Sequence, residues 1–370
     1  MDLDSPLRTA IDSVLAHVPP SRLAPHVQAL SQRYRSGLGG GCSFITSEAD
    51  ALAYIAYRMP ATFAAVHAAL QQVKDVIPGW TPRSVADVGA GPGTAAWAAV
   101  SVWPEVQTVT SYERDRAMMA VGQRLAVHSP HPALRAAVWQ QADIGAPGWR
   151  GSPHQLVLAS YVLGELADAA QAVLMATLWE MAEDVLVIIE PGTPAGFARV
   201  RKAREWLRGL GAHILAPCPH DGACPLPAAD WCHFAARVAR SRVHRHVKQG
   251  ELAYEDEKFS FLAAAKPELW QRWARSASAD HDPAGSRARP AESGSAGGPE
   301  RAAQEGASGG RVPAARPPGR ILRHPQVRSG HIRLLVCTAE GLREAVVTRK
   351  DKAAFRRARD ARWGDGWHDP

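Results

Sequence analysis

Apolar positions recur with two different periods along this chain of 370 residues. Up to residue 80 they recur every three or four residues between proline and glycine breaks, which predicts a set of amphipathic helices. Between residues 83 and 214 short apolar runs alternate with helical stretches. This alternation is typical of a parallel sheet with helices on its faces. The pattern therefore predicts an α/β fold preceded by a helical N-terminal cap.

Each predicted element is a stretch with one of these periods. The helices of the cap are predicted at residues 7–18, 24–34, 47–58 and 61–76. The strands are predicted around Val85 and at residues 106–112, 137–140, 155–159 and 185–189. The helices between the strands include residues 116–127, 168–181 and 196–210.

The composition changes after Gly211. Cysteine and proline dominate residues 216–232, and a basic helix is predicted at 233–248. Residues 274–320 have almost no large apolar side chain, which predicts a disordered insertion because nothing there offsets the entropy of ordering. Strands at 331–338 and 344–348 are expected to join residues 259–263 as the antiparallel edge of the sheet, and a basic helix is predicted at 351–363.

These changes divide the chain into five predicted segments. They are a helical N-terminal cap (1–80), a Rossmann-like domain (81–215), a cysteine-rich and basic segment (216–273), the insertion (274–320), and C-terminal strands with a basic tail (321–370).

A glycine-rich turn joins the first predicted strand to a helix. Asp87 lies near the end of the strand, Gly89, Gly91 and Gly93 follow at alternate positions, and a helix begins at Thr94. Glycine permits positive φ and close approach of a ligand, while free N–H groups and the helix dipole face that ligand. The spacing G-x-G-x-G after an aspartate resembles the first motif of class I methyltransferases, not the G-x-G-x-x-G of dinucleotide-binding turns. The turn therefore predicts a site for S-adenosylmethionine (SAM).

Two acidic residues at strand ends complete the predicted cofactor site. Glu113 follows the second strand, where a carboxylate accepts hydrogen bonds from the ribose hydroxyls. Asp143 follows the third strand and is expected to accept a hydrogen bond from the adenine amino group. Single glycine turns and strand-end acids occur in any α/β domain, so the ordered set is what indicates the cofactor.

The overall composition indicates a globular protein outside membranes. Apolar residues make up 46% of the chain, and no run of 18 apolar residues is present. The first residues, Met-Asp-Leu-Asp-Ser-Pro, match neither a signal peptide nor a transit peptide. This start predicts a cytoplasmic location.

Positive charge is concentrated toward the C-terminus. The net charge of the chain is +7, whereas residues 320–362 alone carry twelve Lys and Arg against four Asp and Glu. A local excess of this kind predicts a polyanionic partner. The basic residues expected to contact it are Arg237, Arg240, Arg242, Arg245, Lys248, Arg349, Lys350, Lys352, Arg356 and Arg357.

Three of the five cysteines, Cys218, Cys224 and Cys232, lie within fifteen residues of one another. Without a secretory signal, metal or cluster ligation explains this better than disulfides or inert thiols. The spacings C-x5-C and C-x7-C are longer than those usual for structural zinc. An iron–sulfur cluster requires a fourth thiolate, from Cys42 or Cys337, and zinc remains the alternative.

Several longer motifs resemble the methyltransferase-like proteins of the mitochondrial small ribosomal subunit and their bacterial relatives. The motifs are Arg33-Tyr-Arg, Ile45-Thr-Ser-Glu-Ala-Asp, Ala159-Ser-Tyr-Val-Leu-Gly-Glu-Leu, Glu190-Pro-Gly-Thr-Pro-Ala-Gly-Phe, Cys218-Pro-His-Asp-Gly-Ala-Cys-Pro-Leu, Tyr254-Glu-Asp-Glu-Lys-Phe and Ala358-Arg-Asp-Ala-Arg-Trp-Gly-Asp. The resemblance implies a class I SAM methyltransferase fold and association with small-subunit ribosomal RNA during assembly. It also implies an iron–sulfur cluster held by four cysteines, with Cys337 as the fourth ligand. We further expect the cluster to be 4Fe–4S, the protein to be a monomer, and its location to be the bacterial cytoplasm.

Two functions remain open at this stage: an rRNA methyltransferase, and an assembly factor that binds SAM and RNA without methyl transfer. Amino-methylating enzymes usually carry a polar tetrad ending in Pro-Pro-aromatic after the fourth strand, and this chain lacks it. Cys218-Pro and Cys224-Pro would fit a nucleophile, but ligation would consume both thiolates. Only Tyr161 and Glu165 are polar groups placed near a methyl donor, so the catalytic residues stay unassigned.

Overall fold

A mostly parallel sheet with helices on both faces forms the centre of the protein, in a computed structural model that describes residues 5–35, 45–239, 254–279 and 319–368. The helices are α1 (Ser5–Leu15), α2 (Pro20–Arg35), α3 (Glu48–Tyr57), α4 (Met59–Val76), α5 (Thr94–Val102), α6 (Arg116–Val127), α7 (Pro132–Arg135), α8 (Asp168–Met181), α9 (Pro194–Gly209), α10 (Pro267–Ala279) and α11 (Lys352–Asp360). A short 3-10 helix spans Leu163–Glu165.

The strands fall into two sheets. The central sheet contains β1 (Ser84–Val88), β2 (Thr108–Glu113), β3 (Val138–Gln141), β4 (His154–Ser160), β5 (Ala182–Pro191), β6 (His213–Ala216), β7 (Phe234–Ala239) and β8 (Tyr254–Ala265). The second sheet contains β9 (Gly319–Ile321), β10 (Gln326–Arg328), β11 (His331–Thr338), β12 (Gly341–Thr348) and β13 (Gly366–Trp367).

The strand order of the central sheet is β3-β2-β1-β4-β5-β8-β6, with β7 paired to the first half of β8. Strands β1 to β5 are parallel, and β8 runs antiparallel to both β5 and β6. A parallel sheet with one reversed strand near its edge is the topology of class I methyltransferases, so the predicted α/β Rossmann-like fold is confirmed. The chain reverses direction across the sheet between β1 and β4, which is where doubly wound sheets form a crevice.

Both faces of the central sheet are buried, because helices cover each of them. On β4, Leu156 and Leu158 join the core under α4 and α5, whereas Val157 and Ala159 join the core under α8 and α9. A strand buried on both faces has a nearly continuous apolar sequence, which is why the pattern 155–159 already predicted a strand.

The N-terminal helices pack against this sheet instead of standing apart from it. Phe63, Leu70 and Val73 of α4 are buried in the same core as the strand residues. Ser47 caps α3 by accepting a hydrogen bond from the Asp50 amide at 3.1 Å. The four-helix prediction for this region is confirmed, and the boundary of a separate cap at residue 80 stays a prediction.

Two expectations for the C-terminal strands and helices require correction. Strand β11 pairs with β9, β10 and β12 in the second sheet, so β11 and β12 are not part of the central sheet. The antiparallel strand of the central sheet is β8, which lies between β5 and the edge strand β6. Residues 234–239 form a strand because Phe234, Ala236 and Val238 point inward at every second position, so the predicted basic helix is wrong there. Its remainder, 240–248, lies outside the described residues.

The predicted insertion begins too early. Residues 274–279 belong to α10 and residues 319–320 to β9, while the intervening 280–318 lie outside the described residues. No helix within the described residues is both long and apolar enough to cross a membrane.

Candidate functional site

A cavity of about 400 Å³ opens at the carboxyl ends of β1 to β5. The parallel strands bring the loops that follow them to one edge, so residues distant in sequence line the same space. Gly89, Gly91, Glu113 and Asp143, all predicted from the sequence to bind the cofactor, lie in its wall.

The glycine-rich turn has the backbone conformation that the sequence requires. Gly89, Gly91 and Gly93 have φ values of 68°, 55° and 84°, a region that side chains rarely adopt. A Cβ added at Gly91 would meet no heavy atom within 4 Å, so the backbone there faces open space. A Cβ at Gly89 would instead lie 2.5 Å from Val162, and Gly93 lies against Trp139 and caps α5. Gly91 is therefore the glycine that a ligand can approach.

Glu113 closes the turn on one side. Its carboxylate accepts hydrogen bonds from the amides of Gly91 and Asp115, each at 2.7 Å. Burial raises the pKa of Glu113, while these amide donors oppose the rise. One of these amides follows β1 and the other follows β2, so together they fix the orientation of the carboxylate at the cavity wall.

Asp143 and Asp87 differ in position. Asp143 lines the cavity, and its Oδ1 accepts from the Gly145 amide at 3.0 Å. Asp87 is fully buried below the turn, where its Oδ2 accepts from the Ala96 amide at 2.9 Å and so ties β1 to α5. Burial raises the pKa of Asp87 to about 7. Asp87 therefore supports the turn without lining the cavity.

Tyr161 lies after β4 in a network that the sequence did not predict. Its φ is 58°, unusual for a residue with a side chain. Its hydroxyl donates to Glu257 Oε1 at 3.0 Å, and both oxygens of Glu257 accept from Arg58 at 2.7 and 2.8 Å. Burial and the nearby Glu257 raise the pKa of Tyr161, which keeps the phenol protonated. The tyrosine hydroxyl is thus committed to a carboxylate of the same chain.

The remaining carboxylates of the wall differ in how they are bound. Glu190 is fully buried and accepts from Arg199 at 2.7 Å and from the Leu163 amide at 3.0 Å. Glu165 is half-buried, and no hydrogen bond or ion pair to its carboxylate occurs among the described residues. Burial, followed by the charges of Glu113 and Glu190, raises the pKa of Glu165 to about 7.

The four predicted cysteine ligands meet at a second, small cavity. Cys218, Cys224, Cys232 and Cys337 all line a space of about 40 Å³ between β8, α9 and the second sheet. The part of the chain that the structure describes contains no group of three His, Cys, Asp or Glu side chains arranged to hold a single metal ion. Cys42, the alternative fourth ligand, lies outside the described residues.

Two buried arginines flank the four thiols. Arg204 and Arg320 are 3% and 6% exposed. Arg204 donates to Cys218 Sγ at 3.3 Å and to the carbonyls of His220 and Gly222 at 3.1 and 2.6 Å; its ion pair with Glu205 reaches the surface. Arg320 donates to the carbonyls of Pro217 and Gly364, both at 2.8 Å. Burial raises the pKa of the Cys218 and Cys232 thiols, and it lowers the pKa of Arg320.

Sequence reasoning missed the partners that come from distant elements. Arg58 and Glu257 are separated by 199 positions, and Arg320 and Pro217 by 103. Glu190 and Glu257 lie inside the motifs that carried the family resemblance. Those motifs indicated that the two residues have a role, but they did not indicate which residues bind them. Arg58, Arg204 and Arg320 had no local signal of their own.

A comparison with protein families identifies the relationship. The family described as "Mitochondrial small ribosomal subunit Rsm22" matches residues 48–368. The chain belongs to the Rsm22 family. This match includes the cysteine cavity, the second sheet and all the lining of the larger cavity except Ile45.

Two curated relatives illustrate the range of the family. The chain is 26% identical over 344 residues to the Rsm22-cox11 tandem protein 2, mitochondrial, of Schizosaccharomyces pombe, covering 86% of this chain and 43% of that protein. It is 29% identical over 245 residues to the ribosome assembly protein METTL17, mitochondrial, of Homo sapiens, covering 62% of this chain and 52% of that protein. The chain therefore spans about half the length of the curated relatives it matches.

Among solved structures, the magnesium protoporphyrin IX methyltransferase of Synechocystis with bound SAM is similar at 14% identity and a TM-score of 0.35, covering 64% of this chain and 90% of that chain.

The relatives correct the predicted location. The family and both curated relatives are described as mitochondrial, which points to mitochondria and overturns the prediction of the bacterial cytoplasm. That prediction depended on the composition of the first residues, and these do not determine the compartment.

Proposed function

We propose that this protein is a SAM-binding assembly factor of the small ribosomal subunit that contacts ribosomal RNA and carries an iron–sulfur cluster. The observation that supports SAM most directly is the turn at Gly91. Its backbone faces open space, and carboxylates that suit ribose and adenine, Glu113 and Asp143, stand at the ends of the next two strands. Asp87 supports the turn from below, and Gly89 and Gly93 let the chain pass close to Val162 and Trp139.

Methyl transfer is the second candidate activity, and the network around Tyr161 argues against it. In amino-methylating enzymes the polar groups after the fourth strand orient the attacking nitrogen. Here the Tyr161 hydroxyl is taken by Glu257, which Arg58 holds in turn. An acceptor nitrogen would have to displace a charge-assisted hydrogen bond, so we favour SAM binding without transfer.

The cluster proposal depends on charge as well as on the four thiols. Burying a guanidinium without a compensating anion is costly. Arg204 is paired with Glu205, but Arg320 is buried and, among the described residues, its hydrogen bonds go to the carbonyls of Pro217 and Gly364. Four thiolates holding a 4Fe–4S core or one zinc ion would supply the missing negative charge. The four cysteines line one cavity, and four thiolates are the ligand set that a 4Fe–4S cluster requires.

Three measurements on the full chain test SAM binding, methyl transfer to RNA and the cluster separately. Calorimetry is expected to show SAM binding, and incubation with labelled SAM and small-subunit assembly intermediates is expected to leave the RNA unlabelled. Anaerobically purified protein is expected to be brown, and Cys337→Ser is expected to lose its iron. Labelled RNA would support the methyltransferase, and colourless protein with stoichiometric zinc would support the zinc site.

A further inference from the structure

Glu165 is the unusual member of the acidic groups in the cofactor cavity. The wall contains five carboxylates, and four of them have a partner inside the chain. Asp115 caps α6, and the other three accept from amides or from Arg199; the four are Glu113, Asp115, Asp143 and Glu190. Among the described residues nothing donates a hydrogen bond to Glu165. A half-buried carboxylate without a hydrogen-bond partner is destabilising in its ionised form unless it binds a proton or a cation compensates it.

The order of the strands indicates which part of the cofactor lies beside Glu165. The proposed ribose acceptor follows β2 and the proposed adenine acceptor follows β3, on one side of the turn after β1. Glu165 follows β4, on the other side of that turn. A cofactor with its nucleoside over β2 and β3 and its middle on the turn therefore extends its methionine end toward β4. That end carries the sulfonium charge of SAM.

We propose, on the basis of the proposed SAM binding, that Glu165 recognises the sulfonium charge and so selects SAM over S-adenosylhomocysteine (SAH). SAH has the same nucleoside, ammonium and carboxylate groups, but its sulfur is neutral. An unpaired carboxylate distinguishes the two by charge alone, because it gains a counterion only from SAM. An assembly factor with this device responds to the ratio of methyl donor to spent donor without consuming either.

Other charged groups face Glu165 and set its behaviour with pH. They are Glu113 after β2, Arg114 beside it, Glu190 on β5 and the Tyr54 hydroxyl on α3. The guanidinium of Arg199 lies against Gly164 but is bound to Glu190. Because the pKa of Glu165 is raised to about 7, the carboxylate is half protonated near neutrality and more ionised at pH 8 than at pH 6. The preference for the cation is therefore expected to grow as the pH rises.

The test compares the affinities of SAM, SAH and sinefungin, which carries an amine near the position of the sulfonium, by calorimetry at pH 6 and pH 8. Wild type is expected to bind SAM and sinefungin about tenfold more tightly than SAH at pH 8. Glu165→Gln is expected to lose that preference and its pH dependence while keeping its affinity for SAH. Glu183→Gln, an exposed residue at the opposite end of β5, is the matched control and is expected to behave as wild type.

The outcomes separate this proposal from the one on which it depends. If Glu165→Gln loses SAM and SAH equally, or keeps the full preference, the residue does not read the sulfonium charge although the cavity still binds the cofactor. If wild type binds none of the three ligands, SAM binding itself is wrong, and the role of Glu165 is wrong with it.

Discussion

Gly91 has two properties that together make a clean test of the cofactor site. Its φ of 55° strains any side chain, and a Cβ there would project into open space at the turn. Gly91→Val is therefore expected to abolish SAM binding in calorimetry at a cost of about 1–3 kcal/mol in stability.

Gly79 offers a matched control for this substitution. It also has a positive φ, 84°, and open space around its Cβ position, but it lies in an exposed turn after α4, away from the cavity. Gly79→Val is expected to lose a similar amount of stability through backbone strain and to bind SAM as tightly as wild type. Normal binding by Gly91→Val would place the cofactor elsewhere.

Asp87 predicts a pH dependence of stability. Its pKa is raised from 3.8 to about 7 in the folded protein, so between these values the native state holds a proton that the unfolded state has lost. The stabilisation that protonated Asp87 contributes to the folded state is fully present below pH 4, and it is lost as the pH rises through 7. Asp87→Asn is expected to remove this slope, which denaturant titrations at pH 5 and pH 8 would measure. An unchanged slope would show that Asp87 is ionised in the fold.

At the scale of elements, Asp50 ties the first helices together. Its side chain is 2% exposed and accepts from His26 of α2 at 2.7 Å and from the Thr46 hydroxyl at 2.7 Å, with Arg33 of α2 at 3.3 Å. Burial alone would raise the pKa of Asp50, but these donors lower it to about 2. The stabilisation that ionised Asp50 contributes to the folded state is therefore fully present above pH 4, and it is lost only as the pH falls toward 2.

Removing this charge is expected to loosen α2 from α3. Asp50→Asn is expected to lower the free energy of unfolding by about 2–3 kcal/mol at pH 7, because several donors lose a charged acceptor. Glu48→Gln, on the same helix but with a side chain that is 63% exposed, is expected to cost less than 1 kcal/mol. Equal effects of the two variants in urea titrations would contradict the anchoring role.

The sequence best predicted those helices and strands whose ends are marked by residues next to them in the chain. Helix α6 runs from Arg116 to Val127 as expected, since Asp115 caps it. The segment 234–239 was mistaken because Phe-Ala-Ala-Arg-Val-Ala suits a helix by alanine content, while its alternation becomes decisive only when β8 pairs with it. In the cavity at the carboxyl ends of the strands, the strand-end residues Glu113 and Asp143 were predictable from the local sequence. The pair Arg58–Glu257 was not, because its partners meet only through tertiary folding.

At the scale of the whole molecule, positive charge is exposed on α11 and on the turn before it. Arg349, Lys350, Lys352, Arg356 and Arg357 are all exposed. Arg237, in contrast, is bound to Asp256 at 2.7 and 2.9 Å on β8, which makes it a weaker candidate for RNA contact. Residues Arg240, Arg242, Arg245 and Lys248 lie outside the described part of the chain.

Phosphate contacts by α11 would appear in the salt dependence of RNA binding. Lys352→Gln combined with Arg356→Gln is expected to weaken binding to small-subunit RNA and to reduce the slope of log affinity against log salt by about 1–2. Arg8→Gln combined with Arg22→Gln removes the same charge from exposed positions on α1 and α2. If both double variants lose the same amount of slope, the effect comes from the net charge of the protein and not from phosphate contacts by α11.

Helix α9 lines both the cavity at Gly91 and the cysteine cavity, and β8 lines the second and lies beside the first. Helix α9 contributes Arg199 to the first and Phe197 and Arg204 to the second, while β8 contributes Glu257 beside the first and Phe261 to the second. Glu257 and Phe261 are about 13 Å apart along the strand. If the four thiols hold the proposed cluster, its oxidative loss would loosen α9 and β8, and β8 carries the Glu257 that binds Tyr161 and Arg58. On that proposal, a cell that loses its iron supply is expected to lose the cavity at Gly91 as well, through damage that begins on the far side of one helix and one strand.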